Sequence, residues 1–486
     1  MSAAAKYPDG VSNRPPGHHR PLSLLERITL AHVGALVIFA AWAFGGNTEW
    51  SRTALSWWGS FGLLITLTAI RDPEAWKHGR LRPLRWLWPL ALFNAVVVIS
   101  SFNPNFRAVA NGAETLFVEM LAPALRLPSS ARPELSLQAL WFFDAAYLSC
   151  FNLALVVRQR RALRALLLAI VGNAVLLAVF GTLQRLLGAP GPFFGLMITK
   201  QAHFFSSFIY HNHWGAFTVL MIAISLGLVF HFARRRDARD FWHSPAFGGL
   251  VAVALLAATV PLSTSRSCTV LVAVLFGGAL VHFLIRVIRR RRAYQESVAL
   301  PLAGALLAVG VAGAFAYDLS RDVIRLRVEN TLDQVAGMRE RGETVPRQIL
   351  YRDTWRMARE KIWFGWGMAS YPTAFYNRNT QHYSAVDHLP HLYHDAHSDW
   401  LQSLSEVGIV GTSLLALCAL VPLWHRRRVL AESPLVAYLL AGCTLIVLYS
   451  ALEFPFGNRA VVIVFWTCFF CAIHYGRLDA SSDSAA

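Results

Sequence analysis

The chain has little charge and little cysteine for its length. Only 15% of its 486 residues are charged and 55% are hydrophobic, whereas a soluble protein of this size carries more charge on its surface. This composition excludes an ordinary soluble enzyme. The six cysteines lie in or beside apolar runs, so neither a disulfide framework nor a zinc site is predicted. Even the C-x-x-C pair Cys468 and Cys471 stands among Val, Phe and Trp, where small core residues are expected.

Acidic residues are also scarce, with 28 Asp and Glu against 45 Lys and Arg, which gives a net charge of +17. Such an excess can indicate nucleic-acid binding. Here, however, most basic residues form short clusters between apolar runs, which is the pattern that orients membrane proteins. The 16 tryptophans suit two interfacial belts. We therefore predict a protein embedded in a lipid bilayer, with no nucleic-acid partner.

Long apolar runs dominate the chain. A membrane-crossing helix needs about 20 predominantly apolar residues, and about twelve runs approach that length. The sequence therefore predicts an all-α, polytopic membrane protein. The predicted spans are 28–46, 53–70, 84–101, 136–157, 163–183, 213–232, 246–263, 267–286, 298–317, 400–424, 434–452 and 459–475.

The basic clusters fall in every second connection between these spans. Under the positive-inside rule, this alternation predicts that both termini lie in the cytoplasm. Three longer connections, 102–135, 185–211 and 318–399, then face the outside. Within the largest, 319–337 and 346–361 have the periodicity of amphipathic helices, so a large helical loop precedes the tenth span.

Four parts follow from this layout. Residues 1–27 form a cytoplasmic tail that lacks the layout of a cleavable signal peptide. The N-terminal membrane helices occupy 28–183, and a second membrane region with the loop 318–399 occupies 184–475. A short cytoplasmic tail follows at 476–486.

Polar side chains capable of chemistry collect on the predicted external side. His211, Asn212 and His213 stand just before one span, and Ser265 and Arg266 form a short turn before another. An arginine at the edge of the hydrocarbon is costly and usually functional. A bound phosphate would offset the cost of burying the arginine, because the planar guanidinium can make two parallel hydrogen bonds to phosphate oxygens. The alternative is an arginine at the membrane interface whose charged end extends into water and binds no ligand.

Two further external groups lie later in the chain. His394 and His397 stand where the large loop re-enters the membrane, and a histidine there can take a proton from a hydroxyl group at neutral pH. The alternative is an interfacial histidine that caps a helix or bonds to the backbone. Glu453 and Arg459 share a late turn and could simply pair with each other. All four groups lie on the same predicted side of the membrane, and this is stronger evidence for a functional site than any one group alone.

In this order, the motifs resemble the O-antigen ligase and polymerase family. The best match is similar to the family's pattern of His-Asn, an aromatic residue, Leu-Gln and then Glu-x-Gly-x-x-Gly, with Ser398 in place of Asn. Family members often carry an arginine before the Asn-His segment; His203 stands near that place and Lys200 beside it. The matching segments are Asn212-His213-Trp214-Gly215, Ser265-Arg266, Arg352 with Trp355, Gly365-Trp366-Gly367, His397 to Gln402 with Glu406, Gly408 and Gly411, and Leu452-Glu453-Phe454-Pro455.

The resemblance implies a GT-C-like membrane glycosyltransferase. The donor would be a glycan on undecaprenyl diphosphate, and the acceptor a hydroxyl of a glycan or of lipid A core. His397 would be the general base, Arg266 would neutralise the leaving diphosphate, and neither metal nor other cofactor would be needed. Direct displacement would invert the anomeric centre. Candidate substrate contacts are Lys200, His203, His211, Asn212, His213, Arg352, His394, Glu453 and Arg459.

Other functions remain open at this point. A ligase, a polymerase and a protein glycosyltransferase would share these motifs. A transporter or flippase is the alternative outside the enzyme class, since twelve spans with both ends inside is a common transporter layout. Few ionisable residues lie mid-span, Asp144 excepted, and no two-fold repeat of broken helices is evident, which disfavours transport.

Overall fold

A computed structural model describes most of the chain. The described residues are 21–112, 114–124, 126–198, 203–233, 243–293, 295, 297, 303, 346–380, 392–427 and 433–478. Lys200, the predicted helix 319–337 and all but residue 303 of the predicted span 298–317 lie outside them.

Helices account for most of the described chain. They are α1 Leu24–Trp42, α2 Glu49–Ile70, α3 Pro73–Lys77, α4 Trp88–Ser101, α5 Pro133–Val156, α6 Arg160–Leu186, α7 Pro192–Gly195, α8 His211–Phe232, α9 Pro245–Leu262, α10 Arg266–Ala293, α11 Pro346–Glu360, α12 Tyr371–Tyr376, α13 Asp399–Arg426, α14 Pro434–Tyr449 and α15 Arg459–Tyr475. Eight of these described helices, namely α1, α2, α5, α6, α8, α9, α10 and α13, are long and apolar enough to cross a membrane.

These helices coincide with most of the predicted spans. The eight long ones match eight spans, and the shorter apolar helices α4, α14 and α15 match three more. The chain is therefore a multi-pass membrane protein, while the count of twelve stays a prediction. The second of these spans, in α2, follows a turn at Gly45 and Gly46, whose φ values are +65° and +74°.

Helix α8 lies at the centre of the bundle. Of its most apolar stretch, 94% is buried, and it packs against α6, α9, α10, α14 and α15. Only 22% of the corresponding stretch of α10 is buried, so that helix presents most of its apolar surface outwards, as a helix at a lipid boundary does. Helix α5 packs on both α2 and α15, so early and late helices share one hydrophobic core.

Helix α13 is broken near its start, and a glycine-rich turn fills the break. Gly408 has φ +66° and ψ −172°, and these backbone angles do not occur within an α-helix. The N–H of Ile409 donates to the carbonyl of Ile362 at 2.8 Å, and the N–H of Gly367 donates to the carbonyl of Glu406 at 2.7 Å. The freed backbone groups thus find partners in the turn, which is the condition for broken helices at membrane depth.

Gly365 in this turn cannot be replaced without strain. Its φ is +69°, and a Cβ there would meet the backbone carbonyl of Glu406. The substitution G365A is therefore expected to destabilise the fold by about 1–3 kcal/mol from backbone strain alone, which a lowered melting temperature of the purified protein would report. Gly172 in α6 has open space around its Cβ position, so G172A is the control and should melt like the wild type. Equal melting of the two variants would contradict this packing.

The expectation of an all-α protein is incomplete. Strands β1 Phe106–Asn111 and β2 Glu114–Glu119 form an antiparallel hairpin, which turns at Gly112 with φ +61°. Asn111-Gly112 is a strong signal for such a turn, but the prediction overlooked it. Phe106 lies edge-on to Trp366 at 6.3 Å between ring centroids, so the hairpin covers the glycine-rich turn.

Candidate active site

Several helix ends meet at one end of the bundle, around the connection between α14 and α15. This connection, residues 450–458, includes Glu453. The Glu453 side chain receives a hydrogen bond from Asn212 near the start of α8 and another from Arg347 on α11. Its backbone carbonyl accepts from the N–H of Asp399, the first residue of α13. One acidic residue therefore joins three helices that are distant in sequence.

The Glu453 carboxylate is the centre of a buried polar cluster. Its side chain is only 3% exposed. Arg347 donates to Oε1 at 2.6 Å and Asn212 Nδ2 donates to the same oxygen at 3.1 Å. The hydroxyl of Tyr210 lies 3.4 Å from Oε2, and Nδ1 of His397 lies 3.7 Å from Oε2. We call these five residues the Glu453 cluster.

The opposite charges in the Glu453 cluster stabilise each other's ionised forms. Burial alone would raise the pKa of Glu453, but His397 and the charge of Arg347 outweigh it, so the pKa is lowered. Burial would likewise lower the pKa of Arg347, but the carboxylate outweighs it and raises the pKa. Burial and the same carboxylate raise the pKa of Tyr210. Glu453 is therefore ionised at neutral pH, opposite a permanent cation.

His397 is held at this carboxylate by its backbone and by its neighbours. Its φ of +52° is uncommon for a residue with a Cβ. The hydroxyl of Tyr351 donates to its carbonyl at 2.9 Å, and its ring stands edge-on to Phe454 at 4.8 Å. The side chain remains 31% exposed. The imidazole is thus positioned between Glu453 and the outside of the bundle.

Arg266 is the residue next to this network. Ser265 Oγ donates to Asn212 Oδ1 at 2.7 Å, and Asn212 in turn donates to Glu453. Arg266 follows directly as the exposed first residue of α10. The two residues predicted to be catalytic therefore lie at the same end of the bundle: His397 faces Glu453, and Arg266 follows Ser265, which belongs to the hydrogen-bonded network.

The predicted histidines of the early segment have different environments. His213 is buried and bonds to the Phe454 carbonyl at 3.2 Å and to the Asn47 amide at 3.3 Å, so it fixes the connection that holds Glu453. His211 and His203 are partly exposed, and their rings stand edge-on at 5.6 Å. Both remain candidates for contact with a substrate.

Three other candidates lie outside the Glu453 cluster. Arg352 is exposed and its Nε lies 3.3 Å from Asp353 Oδ1. His394 is exposed. Arg459 donates to the Gly457 carbonyl at 2.8 Å. The alternative of a Glu453–Arg459 pair is wrong for the described residues, because the carboxylate pairs with an arginine of the large loop, 106 positions away in sequence.

Sequence reasoning missed Arg347, Tyr351 and Asp395. The first two are spaced i, i+4, which places them on one face of α11, and that spacing was the available signal. Burial raises the pKa of Asp395, and the nearby charges of His397 and His394 only partly offset this effect. Within the described ranges, no three His, Cys, Asp or Glu side chains are grouped as a metal site requires.

Comparison with known protein families gives a match to part of the chain. A family model described as O-antigen ligase matches residues 251–416, about a third of the chain, which includes Arg266, Arg347 and His397 but neither Asn212 nor Glu453. No curated protein matches the sequence. The match confirms the resemblance drawn from the motifs. Residues 251–416 are therefore similar to the O-antigen ligase family, as the motifs predicted.

Proposed function

We propose that the protein transfers a glycan from undecaprenyl diphosphate to an acceptor sugar hydroxyl, on the periplasmic side of the inner membrane. The observation that carries the proposal is the position of His397 Nδ1, 3.7 Å from Glu453 Oε2, beside a hydrogen-bonded network that ends at Ser265, the neighbour of Arg266. The family match supports a membrane enzyme that transfers glycans. The identities of the undecaprenyl carrier and of the acceptor go beyond what the family match supports, and both are proposed.

His397 acts as the general base in this scheme. Its Nδ1 faces Glu453, and among the described residues its Nε2 has no hydrogen-bond partner, so Nε2 can accept the proton of the acceptor hydroxyl. The oxygen then bonds to the anomeric carbon of the donor sugar. The bond from that carbon to the diphosphate oxygen breaks, and its electron pair leaves with the diphosphate. Attack opposite the leaving group inverts the anomeric centre.

Glu453 has a supporting role in the transfer. Its carboxylate orients the imidazole and stabilises the imidazolium that forms when the proton arrives, as a buried acid does in other base–acid pairs. Arg347 keeps this carboxylate ionised. The acid is therefore a positioning residue, and His397 is the group that meets the substrate.

Arg266 is proposed to hold the leaving diphosphate. It is exposed at the first position of a helix of 28 residues, and the N-terminus of a helix favours a bound anion. A guanidinium at this point neutralises charge that develops as the bond to the diphosphate breaks. His203 and His211, next to the start of α8, are proposed as further phosphate or sugar contacts.

The periplasmic location follows from the opposite end of the bundle. Arg160 begins α6, and Arg289 to Arg292 end α10, at the end away from Glu453. Since basic clusters mark the cytoplasmic side, Glu453 faces the periplasm and both termini are cytoplasmic. Cysteine-labelling from outside intact cells at positions 394 and 290 tests this orientation: label at 394 alone supports it, and label at 290 alone overturns it.

The proposal predicts a loss of transfer when the gene is deleted. Glycan ladders on gels should then change in one of two ways. Loss of long chains indicates a polymerase, and loss of attachment to lipid A core indicates a ligase. Unchanged glycans in the deletion strain, with transport of a labelled glycan restored by the purified protein, would instead support a transporter.

Replacing Arg347 should shift the pH dependence of transfer. Without this cation, one of the two groups that lower the pKa of Glu453 is lost and His397 alone opposes the effect of burial, so the pKa is higher than in the wild type. The stabilisation of the imidazolium is present only above the pKa of Glu453 and is lost as pH falls through it. For R347Q we therefore expect the acidic limb of the pH–rate profile to move to higher pH. Arg356, exposed on the same helix and 3.9 Å from Asp353, gives the control R356Q, whose profile should match the wild type; an unmoved profile in R347Q would contradict the role of the pair.

A further inference from the structure

Four arginines lie close together at the end of the bundle opposite Glu453. Arg82 and Arg85 belong to the short 3-10 helix Arg82–Trp86, Arg426 ends α13, and Arg477 follows α15. The 3-10 helix packs against α13. Helix α15 has 17 residues, so at 1.5 Å per residue about 26 Å of helix separates Arg477 from the end where Glu453 lies.

These four positive charges repel one another, and within the described part of the chain no nearby acidic side chain offsets the repulsion. The charges of Arg477, Arg85 and Arg82 all act against that of Arg426, and burial together with Arg82 lowers the pKa of Arg477. No acidic side chain of the described residues lies within ion-pair distance of any of the four. Other arginines at this end do find acceptors, since Arg164 donates to the hydroxyl of Tyr475 at 2.8 Å.

Two buried donors in this cluster lack acceptors. The guanidinium of Arg426 lies over the ring of Trp86, 5.3 Å from its centroid. Among the described residues, neither Arg426 Nε nor Trp86 Nε1 has a hydrogen-bond partner, although Trp86 is only 1% exposed. Leaving such donors unpaired is costly. An anion with several acceptor oxygens would satisfy both donors and offset the repulsion.

The neighbouring surface is apolar and suits a lipid. Leu420 and Trp424, on the turns before Arg426, are 55% and 68% exposed, and exposed tryptophans at helix ends mark the membrane interface. A basic pocket between membrane helices, bordered by such a surface, has the chemistry to bind a lipid phosphate. We propose that Arg82, Arg85, Arg426 and Arg477 bind a phosphate group of an anionic phospholipid, at the membrane face opposite the transfer site.

Lipid titration of the purified full-length protein tests the site. Native mass spectrometry with cardiolipin, phosphatidylglycerol and phosphatidylethanolamine should show tighter binding of the anionic lipids. We expect R426Q to weaken cardiolipin binding about five- to tenfold, as loss of one phosphate-binding arginine does. Arg427 is the matched control, because it is exposed and stacks on Trp424 at 3.9 Å, so R427Q should bind as the wild type does.

Two more measurements keep the test decisive. If R426Q does not fold, R82Q changes an exposed arginine of the same cluster and should weaken binding similarly. W86F keeps an aromatic ring at this position but loses the indole Nε1 donor, and should also weaken binding. Equal loss in R426Q and R427Q, or no preference for anionic lipids, would overturn the proposal. Equal binding of inorganic phosphate alone would overturn the assignment to a lipid.

Discussion

Replacing His397 with alanine is expected to lower glycan transfer by about 10²–10⁴-fold, which is the usual contribution of a general base. The imidazole is the histidine of the Glu453 cluster: its side chain is 31% exposed, and its Nδ1 lies 3.7 Å from the carboxylate. Alanine removes the proton acceptor but leaves Glu453 paired with Arg347. Initial rates with purified wild type and H397A, on a lipid-linked donor and a soluble acceptor, measure the effect.

The control for H397A separates chemistry from folding. His78 is an exposed histidine beside Glu74, in the connection after α2, so H78A should transfer at the rate of the wild type. Both variants should insert into the membrane at normal levels. Near-normal product from H397A would reject His397 as the base, and Asp395, which is half-buried and close to it, would become the alternative to test.

Replacing Arg266 with alanine is expected to slow transfer by about 10²–10³-fold, as removal of one electrostatic contact to a developing charge does. The effect should fall on the chemical step and on donor binding together, because the diphosphate is charged before and after its bond breaks. R266K keeps a charge without the planar fork, so it should recover part of the lost rate. Single-turnover rates at saturating donor separate binding from chemistry.

The matched control is an arginine at the other end of the same helix. Arg290 is exposed near the end of α10, and R290A removes the same side chain at the opposite end of the helix. Transfer by R290A should equal that of the wild type. A normal rate in R266A, or equal loss in both variants, would contradict the proposed contact with the diphosphate.

The membrane helices could be predicted from the sequence because apolar length alone defines them. The apolar run that forms α8, for example, can be recognised without knowing which helices surround it. The same is true of the glycine turn at Gly45-Gly46. The hairpin was missed although Asn111-Gly112 signals it locally. The break at Gly408 was only indicated by its glycine, since its form depends on the turn around Gly365 that fills it.

Most residues of the candidate site could be predicted from the sequence, but the contacts between them could not. His397, Arg266, Asn212 and Glu453 stood out as polar residues at membrane edges, and the family match confirmed the family resemblance for residues 251–416. That Asn212 donates to Glu453, 241 positions away, depends on how the helices pack. The pairing of Arg347 with Glu453 also depends on the large loop folding back, which periodicity within α11 cannot reveal.

A structure of the protein with a bound lipid-linked diphosphate donor tests the proposed mechanism most directly. The mechanism predicts the diphosphate within hydrogen-bond distance of Arg266, and the anomeric carbon on the side of the His397 ring that faces away from Glu453. These positions would bring the acceptor hydroxyl and the imidazole together in one pocket open to the periplasm. A donor diphosphate bound at Arg426 instead, or an imidazole turned away from the donor sugar, would contradict it.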